Sequence, residues 1–151
     1  MKKIFLFLLL FSSVIIFGKT YTETEKKVIL KQFTVFQKAV KNKDSDTLEK
    51  MMNSSMDDYE NLTFETLSDV NLLKIDLAKS KVKNFSKKDS CNFKVSGKFI
   101  ENDDFTQGNA FRVMSGPSYD EESEGCTLYK YFYFRLEGKD LILDESVFYS
   151  G

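Results

Sequence analysis

The 151 residues contain no histidine, so the groups able to do chemistry are few. Histidine-based triads, histidine-ligated metal sites and a histidine proton switch are all excluded. Carboxylates and tyrosines remain. Tyr129, Tyr131 and Tyr133 alternate along one segment and fall on one face of it if that segment is a strand. Asp144 or Glu145 could approach them from the next strand. A carboxyl held in such apolar surroundings would have a raised pKa, as proton-transfer chemistry requires. No spacing here specifies a reaction, so no catalytic residue is assigned. The plain alternative is a half-exposed sheet face with its tyrosine hydroxyls in water.

The other reactive types are equally sparse. Asp120, Glu121, Glu122 and Glu124 could offer oxygen ligands to a cation, but they lack the alternating order and internal glycine of a calcium loop. They read as a solvated acidic loop. The seven glycines are scattered and form no phosphate-binding loop. No metal and no cofactor are expected. The only two cysteines, Cys91 and Cys126, make half a tetrahedral zinc site at most. In an oxidising compartment an even count points to a disulfide, worth about 3–4 kcal/mol for a loop of this length.

The compartment is argued from residues 1–18. Lys2 and Lys3 precede an apolar run from Ile4 to Phe11, extended by Val14 to Phe17 and closed by Gly18. This is the layout of a secretory signal peptide, and the run is short for a bilayer span. An uncleaved anchor is the alternative. Cleavage after Gly18 leaves residues 19–151 as one domain, exported to a periplasm or the medium, with no stable membrane span. That domain carries 20 Lys and Arg against 23 Asp and Glu, a net of −3. A balanced chain has no general reason to bind nucleic acid.

The elements that would position these groups change character near residue 72. Before it the apolar period is helical. Thr22 and Glu25 stand in capping-box order, and Ile29, Phe33, Phe36 and Val40 form one stripe, predicting a helix over 22–42. Lys27, Lys31, Lys38 and Lys41 lie opposite. Asp46 and Glu49 predict a second cap, with Leu48, Met51 and Met52 in a short helix, and a third short helix is expected near Thr63 to Asp69. After residue 72 the period is two. Leu73, Ile75 and Leu77 share a face, and Val82 and Phe85 break the alternation. Cys91, Phe93, Val95, Gly97 and Phe99 form a one-sided set. Asn102 to Asp104 is expected to turn, Phe111 and Val113 to mark a shorter strand, and Ser115 to Gly125, with the single proline, to be a loop. Cys126, Leu128, Phe132, Phe134 and Leu136 alternate with the tyrosines, Lys130 being the misfit, and Leu141 to Tyr149 returns as the last strand. The two cysteines each read as opening a strand.

The stretch Phe33-x-x-Phe36-x-x-Ala39-Val40, then Lys43 to Asp46 and Leu48 to Met52, with the closing hairpin Tyr133 to Leu143, resembles the NTF2-like superfamily. Where that family's closing turn is usually followed by Trp, Asp140 and Leu141 stand here. The resemblance implies an α+β domain, N-terminal helices packed on a curved antiparallel sheet as a cone, with a pocket between helix and sheet. A cystatin-like fold, one helix wrapped by a sheet, is the rival. Such a fold does not imply one activity.

The aromatic content, 15%, is the compositional oddity. Rigid rings give contact area at low entropic cost. The expectation is an exported, non-catalytic binding module whose concave face around Tyr129, Tyr131 and Tyr133 takes a protein or a small apolar ligand. An exported inhibitor or immunity protein, with the acidic loop 118–124 facing a basic enzyme surface, is the second reading. A small isomerase-like enzyme with a carboxylate base is the third.

Overall fold

The structure is a computed structural model that describes residues 20–53, 62–101 and 108–150. The leader expected over 1–18 and the turn expected over Asn102 to Asp104 lie outside the described residues.

Helix α1 runs Glu23–Asn42. Its capping box forms as the sequence implies: the Glu25 amide donates to Thr22 Oγ1 at 3.2 Å, and the Thr22 amide donates to Glu25 Oε2 at 2.7 Å. The buried stripe is Ile29, Leu30, Phe33, Phe36, Ala39 and Val40. Lys43 ends the helix in the left-handed region, φ 55°. Asp44, not Asp46, caps the next helix, α2 (Ser45–Glu49), accepting from the Thr47 amide at 3.1 Å. The expected Asp46–Glu49 cap is thereby corrected, because the left-handed Lys43 restarts the helix two residues earlier. Met51 and Met52 fall beyond α2. Met52 instead bridges in parallel to Leu143 of the last strand. Thr63 caps α3 (Phe64–Leu67), which runs into a 3-10 turn over Ser68–Leu72.

The strands are β1 (Lys74–Asp76), β2 (Lys81–Lys83), β3 (Phe85–Ser86), β4 (Lys94–Ile100), β5 (Ala110–Asp120), β6 (Gly125–Glu137) and β7 (Asp140–Ser150). β1 and β2 pair as a separate hairpin, which is why alternation fails between Val82 and Phe85: those residues belong to different sheets. The main sheet is antiparallel, ordered β3-β4-β5-β6-β7. The molecule is therefore α+β, helices on an antiparallel sheet that does not close into a barrel.

The sequence expectation of a loop over Ser115 to Gly125 is wrong for its first half. β5 continues to Asp120, and only 121–124 turn. Pro117 is tolerated because the pairing with β6 skips between Ser115 and Ser118, so its missing N–H interrupts no ladder bond. Gly116 is required beside it. Its φ is 136°, and a Cβ there would lie 2.7 Å from the Leu128 carbonyl oxygen.

Helix and sheet meet through phenylalanines. Phe33 stands edge-on to Phe111 at 5.1 Å and to Phe134 at 5.2 Å, and Phe36 to Phe134 at 4.9 Å. All four are fully buried. Each ring so buried contributes about 1.5–3 kcal/mol. Gln32 fixes the far end, accepting from the Leu141 amide and donating to the Lys139 carbonyl. The helix thus grips the β6–β7 turn by both groups of one amide.

Candidate functional site

Period two decides what β6 shows to each side. Phe132 and Phe134 point at α1, so Tyr129, Tyr131 and Tyr133 point away from it. The three rings stack in a row, with centroids 6.5 Å apart for Tyr129–Tyr131 and 6.4 Å for Tyr131–Tyr133. Cross-strand partners widen the patch. Met114 and Val147 flank Tyr131, and Tyr149 pairs with Tyr129. The Arg112 guanidinium lies over the Tyr131 ring, 5.7 Å from its centroid.

Exposure grades along the row. Tyr149 is 54% exposed, Tyr129 and Tyr131 are half-buried, and Tyr133 is fully buried. The predicted trio is therefore brought together on one face, but its third ring is sealed at the buried end of the row and offers no surface. Tyr149 and Arg112, which sequence reading passed over, join the patch. Tyr149 was legible from the period of β7. Arg112 depended on the β5–β6 register.

The two carboxylates considered as bases differ in place. Glu145 pairs with Tyr133 across the ladder. Asp144 is the extra residue of a bulge between Tyr133 and Phe134, and it is engaged twice. Its Oδ2 lies 2.5 Å from Arg135 Nη2, and its Oδ1 accepts from Asn53 Nδ2 at 2.7 Å. A carboxylate held by a guanidinium and an amide is a structural tie between β7, β6 and the chain after α2.

The misfit Lys130 has an answer on the helix side. Its Nζ lies 2.8 Å from Asp69 Oδ2, and Ser115 Oγ donates to the same oxygen at 2.9 Å. Both charged side chains are over four-fifths buried. The cluster pins the 3-10 turn to β5 and β6, and no sequence signal marks it, since Asp69 is 61 residues from Lys130.

Cys91 and Cys126 form the disulfide. Cys126 opens β6, but Cys91 does not open a strand. It sits in a turn before β4 that Asp89 holds by accepting from the Cys91 and Phe93 amides, each at 3.1 Å. The left-handed Asn92, φ 53°, makes that turn and takes Cys91 out of the ladder. Hydrogen bonding from the Phe93 amide, aided by that from Cys91, holds the Asp89 carboxyl below its ordinary pKa.

Among the described residues no group of three or more cysteine and carboxylate side chains could hold a metal ion, and no helix is long and apolar enough to cross a membrane. No family model, no curated protein and no solved structure matches this chain.

Proposed function

We propose that this chain is a non-catalytic binding module that takes a protein partner on the sheet face turned away from α1. The observation that carries this is the row of Tyr129, Tyr131 and Tyr149 with Arg112 over its centre. Tyrosine and arginine dominate the energetics of protein interfaces. The Tyr129 and Tyr131 rings are pre-ordered by stacking, so docking them costs little side-chain entropy. A row of half-buried rings ending in the exposed Tyr149 suits a protein better than a small apolar ligand, which needs enclosure. The helix-then-sheet order supports the NTF2-like reading, and the Cys91–Cys126 bridge supports export to an oxidising compartment.

The test is a displayed peptide library panned against the folded protein. Peptides enriched on it should perturb the amide resonances of β6 and β7 near Tyr131. They should bind the Tyr131→Ala/Tyr149→Ala variant at least about tenfold more weakly, as loss of two interface anchors implies. Enriched peptides that map elsewhere, or bind both proteins equally, would overturn the proposal.

A further inference from the structure

On the other side of the molecule, α1 and the α3/3-10 segment leave an open groove of about 780 Å³. This is within the ordinary size of a ligand site. Val40 and Phe64 are its two apolar side chains, and the hydrocarbon stems of its lysines add to the apolar lining. Lys38, Lys41 and Lys43 line it with a single acid, Glu65. None of these three lysines has a carboxylate partner among the described residues. Among the described residues the groove thus carries three cations against one anion, and those cations have no carboxylate partner.

The neutral groups add a second restriction. Thr34 Oγ1 donates to the Lys31 carbonyl at 2.6 Å, and Ser68 Oγ donates to the Glu65 carbonyl at 2.6 Å. The Gln37 amide nitrogen is committed to the Val70 and Leu73 carbonyls. With those protons spent, the Thr34, Ser68 and Gln37 oxygens present only lone pairs to the groove. A complementary ligand therefore brings donors for these three oxygens together with negative charge, while the Asn71 amide can donate or accept. Hydroxyls plus carboxylates meet both demands. An acidic peptide meets them less well, because its main-chain N–H is the one donor each acidic residue brings, where a sugar acid brings several hydroxyls.

We infer that this groove is a binding site for an acidic oligosaccharide, with Lys38, Lys41 and Lys43 meeting its carboxylates and Thr34, Gln37 and Ser68 accepting from its hydroxyls. The site is separate from the tyrosine face and does not depend on that proposal.

The experiment titrates the whole protein with tetragalacturonate, following amide resonances at low salt. Saturable shifts over 34–43 and 64–71 are expected. Lys38→Gln/Lys41→Gln should weaken binding about tenfold, since each charge near an anion in partly wet surroundings is worth on the order of 1 kcal/mol. Lys27→Gln/Lys31→Gln removes equal charge from the same helix outside the groove and should change affinity less than about twofold if screening limits its reach. Both pairs are exposed substitutions, and an unchanged melting temperature verifies folding. Absence of saturable binding, equal losses in the two variants, or equal affinity for neutral maltotetraose would overturn the inference. So would a tetraglutamate peptide binding as tightly, or inorganic phosphate displacing the sugar at equal concentration.

Discussion

The two faces of β6 carry nearly the same hydrocarbon and do opposite work. Toward α1, Phe132 and Phe134 are sealed in a ring cluster with Phe33, Phe36 and Phe111. Away from it, Tyr129 and Tyr131 stack in a row that stays half-buried and ends in the exposed Tyr149. A hydroxyl is what separates them. A buried tyrosine needs a partner for its O–H, so the α1 side uses phenylalanine, and water satisfies the hydroxyls at the exposed end of the other side, where Tyr133 is the sealed exception. Alternation sorts the rings between the two sides, and what packs on each side sets which of them are sealed.

The sharpest way to break this division is to truncate one ring on each side. Phe134→Ala should cost about 3–5 kcal/mol, because three neighbouring rings cannot collapse into the space. Tyr131→Ala should cost about 1 kcal/mol or less, its outer side being already in water. Urea denaturation of both variants checks the contrast. Similar losses would mean that the tyrosine face is a second core.

Next in size is the covalent tie. Cys91→Ala/Cys126→Ala releases a cross-link that spans 35 residues of sequence and should cost about 3–4 kcal/mol in the chain-entropy account. Because Cys91 lies in a turn outside both faces, the loss should come with no change in the near-ultraviolet tyrosine signal of the native state below the transition. A changed signal would show that the bridge also shapes the tyrosine row.

The exception on the helix side tests the rule from within. Lys130 occupies a phenylalanine-phase position only because Asp69 and Ser115 meet it. Asp69→Ala leaves a largely buried ammonium without its partner and should cost about 1–3 kcal/mol. Asp69→Ala with Lys130→Met should recover much of that, since an apolar chain of similar length then lies among apolar neighbours. Thermal melts of the single and double variants measure it, and a double variant no better than the single would assign the cost to lost packing.

These cases also mark how far the sequence is readable. The bounds of α1 follow from Thr22, Glu25 and the apolar stripe, which are all local, and the structure starts the helix at Glu23 as the capping box requires. Placement of the three tyrosines on one face follows from the period of two. What stays hidden is set by partners far along the chain. Tyr133 is sealed while Tyr131 is not, and the period does not distinguish them. Lys130 reads as an error until Asp69 is brought to it. Pro117 reads as a loop because its strand survives only through a skip in the β5–β6 register. The lysines of α1 are visible as a polar face, but their groove exists only once α3 packs beside them, some twenty residues later.

The smallest effect concerns the turn that lies outside both faces. Asp89 accepts two backbone amides, and its carboxyl is held below the ordinary value near about 4. A carboxyl depressed by folding adds stability above its unfolded pKa and loses it as pH falls through the lower folded value. The ionised form is therefore an asset at neutral pH and none in strong acid. Asp89→Asn keeps an acceptor oxygen but drops the charge. It should melt below the parent protein at about pH 7, and the gap should close as pH falls below the ordinary carboxylate range and through the lower folded value, where the parent's Asp89 is protonated too. A melting gap that is constant with pH would mean that Asp89 holds the Cys91 turn by shape and not by charge.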